Sequence, residues 1–173
     1  IPELNRLIDH EIELAKSGKQ GRIILKMNAL QDPAMIERLY EASQAGVKID
    51  LIVRGICCLI PGRKYSRNIR VTRIVDTFLE HARVWYFGNG GKPKLFLGSP
   101  DWMRRNLYRR IEAVTPILDP DLKRELSDML SIQLSDKRKA CFVDDHLRNR
   151  WKSARPQKEK IRSQYTFYEY LKG

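Results

Sequence analysis

Residues 22–55 read RIILKMNALQDPAMIERLYEASQAGVKIDLIVRG, and their hydrophobic pattern decides the expected fold. The continuous apolar runs at 22–27 and 47–53 predict two buried strands. Between them, Asp32 and Pro33 are a typical helix cap and first helical residue. A strand, a helix and a second strand joined by short loops form a βαβ unit, whose strands are parallel and buried on both faces. The fold class is therefore α/β.

The rest of the chain extends this unit in both directions. We expect a helix over 2–16, a helix that ends near His81, strands at 83–87, 94–98 and 111–117, a long helix that begins at Asp119, and a short strand at 139–143. Residues 144–173 carry many charges and few apolar side chains. We expect them to form a solvated basic extension that ends in a short helix at YTFYEYL.

The bulk composition limits the partner and the compartment. The 173 residues carry a formal charge of +12 with a pI near 9.8, which favours a polyanionic partner: nucleic acid, a phosphorylated ligand or an anionic membrane surface. No apolar run reaches the roughly 18 residues that span a bilayer. Because the chain starts without Met or a signal peptide, we expect a fragment of a longer protein. Its three cysteines, an odd number, favour a reduced cytosolic protein with buried thiols.

The strand ends provide the first candidate site residues. In a βαβ unit the carboxyl ends of both strands lie at one edge, where ligands of open α/β sheets bind. Arg54 follows the second strand there, and Gly55 lets the backbone approach closely. A guanidinium at this position suits phosphate, although a solvated arginine remains the alternative.

A second candidate lies in FLEHARVWYFGNGG, residues 78–91, where an apolar run ends at His81 before a strand. The alternative is a structural histidine at a junction. MRRNLYRR, residues 103–110, contributes four arginines. Arg110 begins the predicted strand and is the one we expect to point inward, whereas the others could be solvated. His10 and His146 are expected to be exposed, and Asp144 lacks a second acidic cluster that could complete a metal site.

Two resemblances give these residues a context. His81, Arg83 and GSPD at 98–101 resemble the second half-site of the phospholipase D superfamily, His-x-Lys, four residues, Asp, then Gly-Ser-x-Asn. Arg83 stands in the Lys position, Gly88 in the Asp position and Asp101 in the Asn position, and the spacer is longer. These departures put phosphodiesterase chemistry in doubt and leave a phosphate-directed geometry.

The second resemblance covers nearly the whole chain. RIILKMNAL, LYEASQAGVKIDLIVRGICCL, NIRV, FLEHARVWYF, GSPDWMRRNLYRRIE and RSQYTFYEYL resemble, in this order, the C-terminal catalytic domain of bacterial polyphosphate kinases. The resemblance implies a phospholipase D-like mixed sheet with helices on both faces. It also implies that residues 1–143 form the catalytic domain and that residues 144–173 form the basic extension.

The resemblance further implies reversible transfer of the terminal phosphoryl group of ATP to inorganic polyphosphate. The phosphorylated histidine and the Mg²⁺ ligands of the family lie outside these residues. His81 matches a second histidine that assists transfer as proton donor or phosphate ligand, and Arg54 and Arg110 match arginines that contact the nucleotide phosphates. Lys26, Arg83 and Arg105 could line a path for the polyanion.

The expected partners are ATP or ADP, polyphosphate, the rest of the kinase chain and further copies in a homo-oligomer, with no specific nucleic acid. The expected location is the cytoplasm, with peripheral attachment to the inner membrane left open. We expect the fragment alone to be inactive. Two other functions remain: a phospholipase D-like phosphodiesterase or nuclease, and a non-catalytic module that binds polyanions.

Overall fold

The computed structural model describes residues 1–152 and 161–172. The strands are β1 (Arg22–Met27), β2 (Lys48–Val53), β3 (Ile69–Ile74), β4 (Arg83–Phe87), β5 (Lys94–Gly98), β6 (Val114–Ile117), β7 (Ala140–Val143) and β8 (Asn149–Trp151). The helices are α1 (Pro2–Lys16), α2 (Pro33–Gln44), α3 (Arg104–Arg109), α4 (Pro120–Ser135) and α5 (Ser163–Lys172). Within these described residues, no helix is both long and apolar enough to cross a bilayer.

All of these strands belong to one mixed sheet. Its order is β6-β5-β4-β1-β2-β3-β7-β8. β1, β2 and β3 are parallel, and the remaining neighbours are antiparallel. The βαβ unit predicted from residues 22–55 is therefore confirmed and forms the centre of the sheet.

Helices cover both faces of this sheet, as expected for the fold class. On one face, α1 and α2 pack against β1 and β2 through a large apolar cluster that includes Ile8, Leu39 and Leu51. On the other face, α4 packs through Met129 and Leu130 against side chains that include Ile52. Most of each strand of the central unit is therefore buried on both sides, which explains its largely apolar sequence.

Local capping starts the two helices that follow Asp-Pro. The Asp32 carboxylate accepts a hydrogen bond from the Met35 amide at 3.0 Å, and Asp119 caps α4 in the same way. Gly21 shows how tightly α1 meets the sheet: a Cβ there would lie 2.6 Å from the Glu11 carbonyl oxygen. Any larger residue at this position would force α1 and β1 apart.

The predicted helix before His81 is wrong. Residues 71–74 complete β3, which the sequence analysis missed, and residues 75–82 form neither helix nor strand. The reason is competition for the same side chains: Val71 and Ile74 are buried in the sheet and are lost to any helical apolar face. Tertiary pairing with β2 therefore overrides the local pattern.

Two further boundaries differ from expectation. The strand predicted at 111–117 begins only at Val114, so Arg110 directly follows α3 and is exposed instead of pointing inward. In the charged C-terminal region, β8 pairs with β7, although its residues are exposed as expected. The division of the chain at residue 143 stays a prediction, and part of the predicted extension lies outside the described residues.

Candidate active site

One edge of the sheet brings the predicted site residues together. The register places Met27 beside Val53 at the ends of β1 and β2, and antiparallel pairing places the start of β4 at the same end. β5 ends and β6 begins there too, because Gly98 pairs with both Arg83 and Val114. We call this end the carboxyl edge. Arg54 directly follows β2 at this edge, His81 lies two residues before β4, and Arg110 lies four residues before β6.

The strand order also separates these three residues into a row. Arg54 follows β2, His81 precedes β4, and Arg110 precedes β6. Four strand spacings of about 4.8 Å give a row roughly 19 Å long from β2 to β6. Such a row is longer than a single phosphate group.

His81 lies at the centre of the row and is exposed. The Arg83 guanidinium donates to the His81 carbonyl oxygen at 2.9 Å, and its Nη1 is 3.1 Å from the ring Nδ1. The ring Nε2 lies 3.4 Å from Arg83 Nη2, so the guanidinium faces both ring nitrogens. The imidazole of His81 is therefore oriented by a neighbour two residues away.

Arg83 is held in turn by Asp101. Arg83 Nε and Nη2 donate to the two carboxylate oxygens of Asp101 at 3.2 and 3.0 Å, and both side chains are mostly buried. Asp101 Oδ1 also accepts from the backbone amides of Asn28 and Ala29. Burial would raise the pKa of Asp101, but these hydrogen bonds outweigh it and hold the pKa below its ordinary value. The aspartate in place of the superfamily Asn thus neutralises the arginine in place of the Lys.

Lys26 is buried on the α4 face rather than open to solvent. Its ammonium group donates to Glu80 Oε2 at 2.7 Å, and its exposed fraction is 4%. Burial lowers the pKa of Lys26, Glu80 opposes that change, and the nearby charge of Arg54 adds to it. Glu80 immediately precedes His81, so this ion pair fixes the residue next to His81 in the chain. The adjacency of Glu and His in FLEH was the signal that could have identified Glu80.

Arg54 is half-buried at the end of β2. The next residue, Gly55, lies so close to β1 that a Cβ would be 3.0 Å from the Asn28 carbonyl oxygen. Arg73 then closes the turn by donating to the Gly55 carbonyl oxygen at 2.6 Å. The close backbone approach expected at Gly55 is present, and the backbone that it approaches is that of Asn28 in the same chain. Arg73 was not anticipated from the sequence.

Arg110 lies at the other end of the row and is exposed beside Glu112. Glu112 accepts hydrogen bonds from the Ser99 hydroxyl and, at 2.6 Å, from Asn106, and these bonds lower its pKa. The charges of Arg110 and Arg83 act in the same direction. Arg110 and Glu112 also line a groove of about 860 Å³ between the start of α1 and β5–β6. Arg105 is exposed on α3.

The predictions for the other histidines and for the cysteines are confirmed only in part. His10 and His146 are exposed, as predicted. Cys57 is buried, which raises the pKa of its thiol to about 11, whereas Cys58 is exposed and contradicts the expectation that the thiols are buried. In the described part of the chain, no group of three or more His, Cys, Asp and Glu side chains is placed to hold a metal ion. The Asn28 side chain is buried with no partner among the described residues.

Comparison with known proteins identifies relatives over the whole chain. The family model "Polyphosphate kinase C-terminal domain 2" matches residues 2–164. The polyphosphate kinase of Vibrio vulnificus is 46% identical over 172 residues, which are 99% of this chain and 24% of that protein. The Escherichia coli K12 enzyme is 46% identical over 171 residues, 98% of this chain and 25% of that protein.

Solved structures agree with the relationship found from the sequence. The crystal structure of polyphosphate kinase from Porphyromonas gingivalis superposes with a TM-score of 0.95 at 56% identity, covering 100% of this chain and 27% of that one. Two more distant structures share the fold alone. NucT from Helicobacter pylori superposes with a TM-score of 0.53 at 13% identity, covering 78% of this chain and 91% of that one. The phospholipase D family member Nuc from Salmonella typhimurium superposes with a TM-score of 0.51 at 17% identity, covering 72% of this chain and 84% of that one.

This chain spans about a quarter of the length of its polyphosphate kinase relatives. Its sheet has the phospholipase D-like architecture of the two more distant structures. The family match, the identities and the superposition all cover the same region. The chain belongs to the polyphosphate kinase family and corresponds to its C-terminal domain 2.

Proposed function

We propose that this chain is one catalytic domain of a polyphosphate kinase that transfers the terminal phosphoryl group of ATP reversibly to inorganic polyphosphate. The transfer passes through a phosphohistidine held on a neighbouring domain of the complete enzyme. The observation that carries the proposal is the row of Arg54, His81 and Arg110 at the carboxyl edge, in a chain of this family.

The chemistry requires little covalent participation from this domain. Phosphoryl transfer depends mainly on positioning and on neutralising the charge of the phosphate oxygens. Arg54 and Arg110 present guanidinium groups, which bind phosphate oxygens as planar forks. His81 donates a proton or a hydrogen bond to the phosphate in transit. The contacts of the Arg83 guanidinium with the carbonyl oxygen and the ring of His81 support this role, because they hold the imidazole in a defined orientation.

The length of the row favours an extended anion. A span of roughly 19 Å between β2, which Arg54 follows, and β6, which Arg110 precedes, suits a nucleotide triphosphate or several linked phosphates better than one isolated phosphate. The exposed Arg105 could extend this path. The role of Lys26 and Arg83 as polyanion contacts stays a prediction. It gains no support from their surroundings, because Glu80 and Asp101 already neutralise their charges.

The described residues do not fit the Mg²⁺ that the family implies. The Asp101 carboxylate is taken up by Arg83 and two backbone amides, and Glu112 by Ser99 and Asn106. We therefore propose that the metal ligands belong to other parts of the enzyme. A homo-oligomeric, cytoplasmic enzyme that contacts the inner membrane peripherally is likewise proposed from the family resemblance.

The phosphodiesterase alternative gains no support beyond the shared fold. The residues in the Lys and Asn positions of the superfamily motif, Arg83 and Asp101, form an ion pair with each other here. Asp101 therefore neutralises the charge of Arg83. A non-catalytic polyanion-binding module would use the same exposed arginines, and measurements of turnover separate it from the kinase.

The test uses His81→Ala in the complete enzyme that contains this domain. We expect the rate of ATP-dependent polyphosphate synthesis to fall by about 10²–10⁴-fold, the usual contribution of a general acid, with little change in melting temperature. The control is His10→Ala, which removes another exposed histidine on α1. Turnover equal to that of the control would return His81 to a structural role.

A second measurement addresses the missing domain. We expect this chain alone to make no polyphosphate from ATP, because it lacks the phosphohistidine. Robust synthesis by the chain alone would contradict that mechanism. Nucleotide release from single-stranded DNA, lost in His81→Ala, would support the phosphodiesterase instead.

A further inference from the structure

The segment before His81 is not held in place by apolar burial. Residues 75–82 connect β3 to β4 without helix or strand. Its larger apolar side chains are mostly exposed, since Val75 is 65%, Phe78 55% and Leu79 74% exposed, although the Phe78 ring lies 5.8 Å from the Tyr165 ring between centroids. A connection with so little buried surface is expected to be mobile unless polar contacts fix it. Those contacts come from the start of α5, which lies more than 80 residues further along the chain.

Gln164 binds the main chain of this segment on both sides of Phe78. Its Oε1 accepts from the Phe78 amide at 2.7 Å, and its Nε2 donates to the Phe78 carbonyl oxygen at 2.7 Å. The same Nε2 lies 3.3 Å from Glu80 Oε1. Gln164 is only 7% exposed, so these bonds form away from water. A side-chain amide therefore replaces the strand partner that this stretch of backbone lacks.

Arg162 fixes the beginning of the same segment. Its Nε and Nη2 donate to the Asp76 carboxylate at 2.8 and 2.6 Å, and Nη2 also donates to the Thr77 hydroxyl at 2.8 Å. These hydrogen bonds lower the pKa of Asp76 against the effect of burial. The fork sets both the position and the orientation of the chain as it leaves β3.

Glu80 completes the arrangement next to the imidazole. Its Oε2 accepts from Lys26 at 2.7 Å and from Gln133 at 2.9 Å, and Gln164 approaches its other oxygen. His81 follows directly. The peptide that carries the imidazole is thus held on one side by Glu80 and on the other by Arg83.

The start of α5 is itself anchored to the body of the domain. Asp136, at the end of α4, is fully buried and accepts from both the amide and the hydroxyl of Ser163 at 2.7 Å. Phe167 packs against the apolar cluster between the sheet and α4. The helix can therefore serve as a fixed support for residues 75–82.

We propose that Gln164, assisted by Arg162, is a positioning residue for His81: the first turn of α5 sets the conformation of residues 75–82 and so places the imidazole at the carboxyl edge. The inference rests on the proposed function of His81. It assigns to the C-terminal helix a part in phosphoryl transfer although the helix itself contributes no group to the substrate. A misplacement of about 1 Å in a catalytic group can cost about 10²-fold in rate.

The experiment compares Gln164→Ala with a matched control on the same helix, Tyr170→Phe, in the complete enzyme. Tyr170 bonds Asp128 on α4 at 2.8 Å and so also ties α5 to the domain. We expect Gln164→Ala to lower kcat about 10- to 100-fold with a much smaller change in KM. Tyr170→Phe should stay within about twofold of the parent even at an equal loss of melting temperature.

A double-mutant cycle separates positioning from general stability. If Gln164 acts through His81, then Gln164→Ala introduced into His81→Ala should lower the residual rate by less than about threefold, because coupled residues are not additive. Hydrogen exchange should also accelerate at the Phe78 amide in Gln164→Ala and not in Tyr170→Phe. A full 10-fold further loss in the double variant would overturn the proposal.

A fallback variant covers the case in which Gln164→Ala does not fold. Gln164→Glu keeps the acceptor for the Phe78 amide but cannot donate to the carbonyl oxygen, and it adds a charge beside Glu80. We expect kcat to fall here too, and activity equal to that of Tyr170→Phe would refute the role of Gln164.

If the unmodified complete enzyme made no polyphosphate, the proposed function itself would fail. An active parent with an unaffected Gln164→Ala variant would remove the positioning role alone.

Discussion

Asp101→Ala tests the ion pair that organises the carboxyl edge. Asp101 accepts from the amides of Asn28 and Ala29 at 2.7 and 3.1 Å and from two nitrogens of Arg83 at 3.2 and 3.0 Å. The side chains of Arg83 and Asp101 are only 12% and 11% exposed. Replacement by alanine leaves a mostly buried guanidinium and two backbone amides without their acceptor.

The expected cost follows from those partners. Removing one member of a buried ion pair costs about 3–5 kcal/mol, and the lower part of that range suits a pair that keeps some contact with water. We expect a loss of about 3–4 kcal/mol, or a fall in melting temperature of about 6–16 °C for a chain of this size. Asp101→Asn keeps an oxygen for the amides and should cost about 1–2 kcal/mol.

The assay is urea unfolding of this chain followed by circular dichroism at neutral pH. The control, Asp121→Ala, removes a carboxylate that is 79% exposed and paired with Arg124 on the surface of α4. That change should stay within about 0.5 kcal/mol of the parent. If Asp101→Ala lay within about 1 kcal/mol of the control, the pair would not organise this edge as the geometry indicates.

Acid provides an independent check on the same pair. The folded-state pKa of Asp101 lies below its ordinary value of 3.8, so the unfolded chain takes up the proton first as the pH falls. The stabilisation is complete above pH 3.8 and is lost as the pH falls through the folded-state pKa. The difference between the parent and Asp101→Asn should therefore be constant near neutrality and shrink only in acid.

Two further predictions concern the other carboxylates. Hydrogen bonds from Arg148, Arg150 and His146 lower the pKa of Asp144 from 3.8 to about 2, so the stability that they provide should be present above pH 3.8 and disappear as the pH falls towards 2. An NMR titration of the Asp144 carboxyl group with a midpoint near 3.8 would contradict this. Lys26→Met strands the partly buried Glu80 carboxylate and should cost about 2–4 kcal/mol in urea unfolding, whereas Lys26→Met with Glu80→Gln should recover at least half of that loss. A double variant less stable than Lys26→Met alone would show that the pair is not the source of the effect.

The central part of the fold was predictable because its signals are local and agree with each other. The apolar runs at 22–27 and 47–53 are long enough for buried strands, and Asp32 caps the helix between them through its own side chain. Propensity, capping and periodicity all favour the same βαβ unit, and such agreement allows the fold of a segment to be predicted from its sequence. The α4 helix, capped by Asp119, was predictable for the same reason.

The segment 71–82 was misread because its outcome depends on distant partners. Its first residues pair with β2 and β7, and its remainder is held by Arg162 and Gln164. None of these partners is close in sequence. The apolar side chains suggested a helix, and only the tertiary structure shows that Phe78 and Leu79 are exposed. The hydrophobic pattern of residues 71–82 contains no information about a hydrogen bond to a partner more than 80 residues away.

The candidate site was predictable in its location and not in its internal contacts. Arg54 could be placed at the carboxyl edge because it directly follows a parallel strand. The ion pairs of Lys26 with Glu80 and of Arg83 with Asp101 could not be foreseen, since each depends on the packing of separate elements. These pairs change how the basic residues act: two cations expected to face a polyanion are already neutralised.

By itself the sequence determined the α/β class, the parallel centre of the sheet and the position of Arg54 at its carboxyl edge, because short-range capping and hydrophobic periodicity encode them. Only the tertiary structure decided which cations of that edge remain available to an anion and what supports His81. The physical reason is that charge neutralisation and hydrogen bonding act through distances of about 3 Å in space, whereas the residues that approach so closely here lie 18, 54 and 86 positions apart in the sequence.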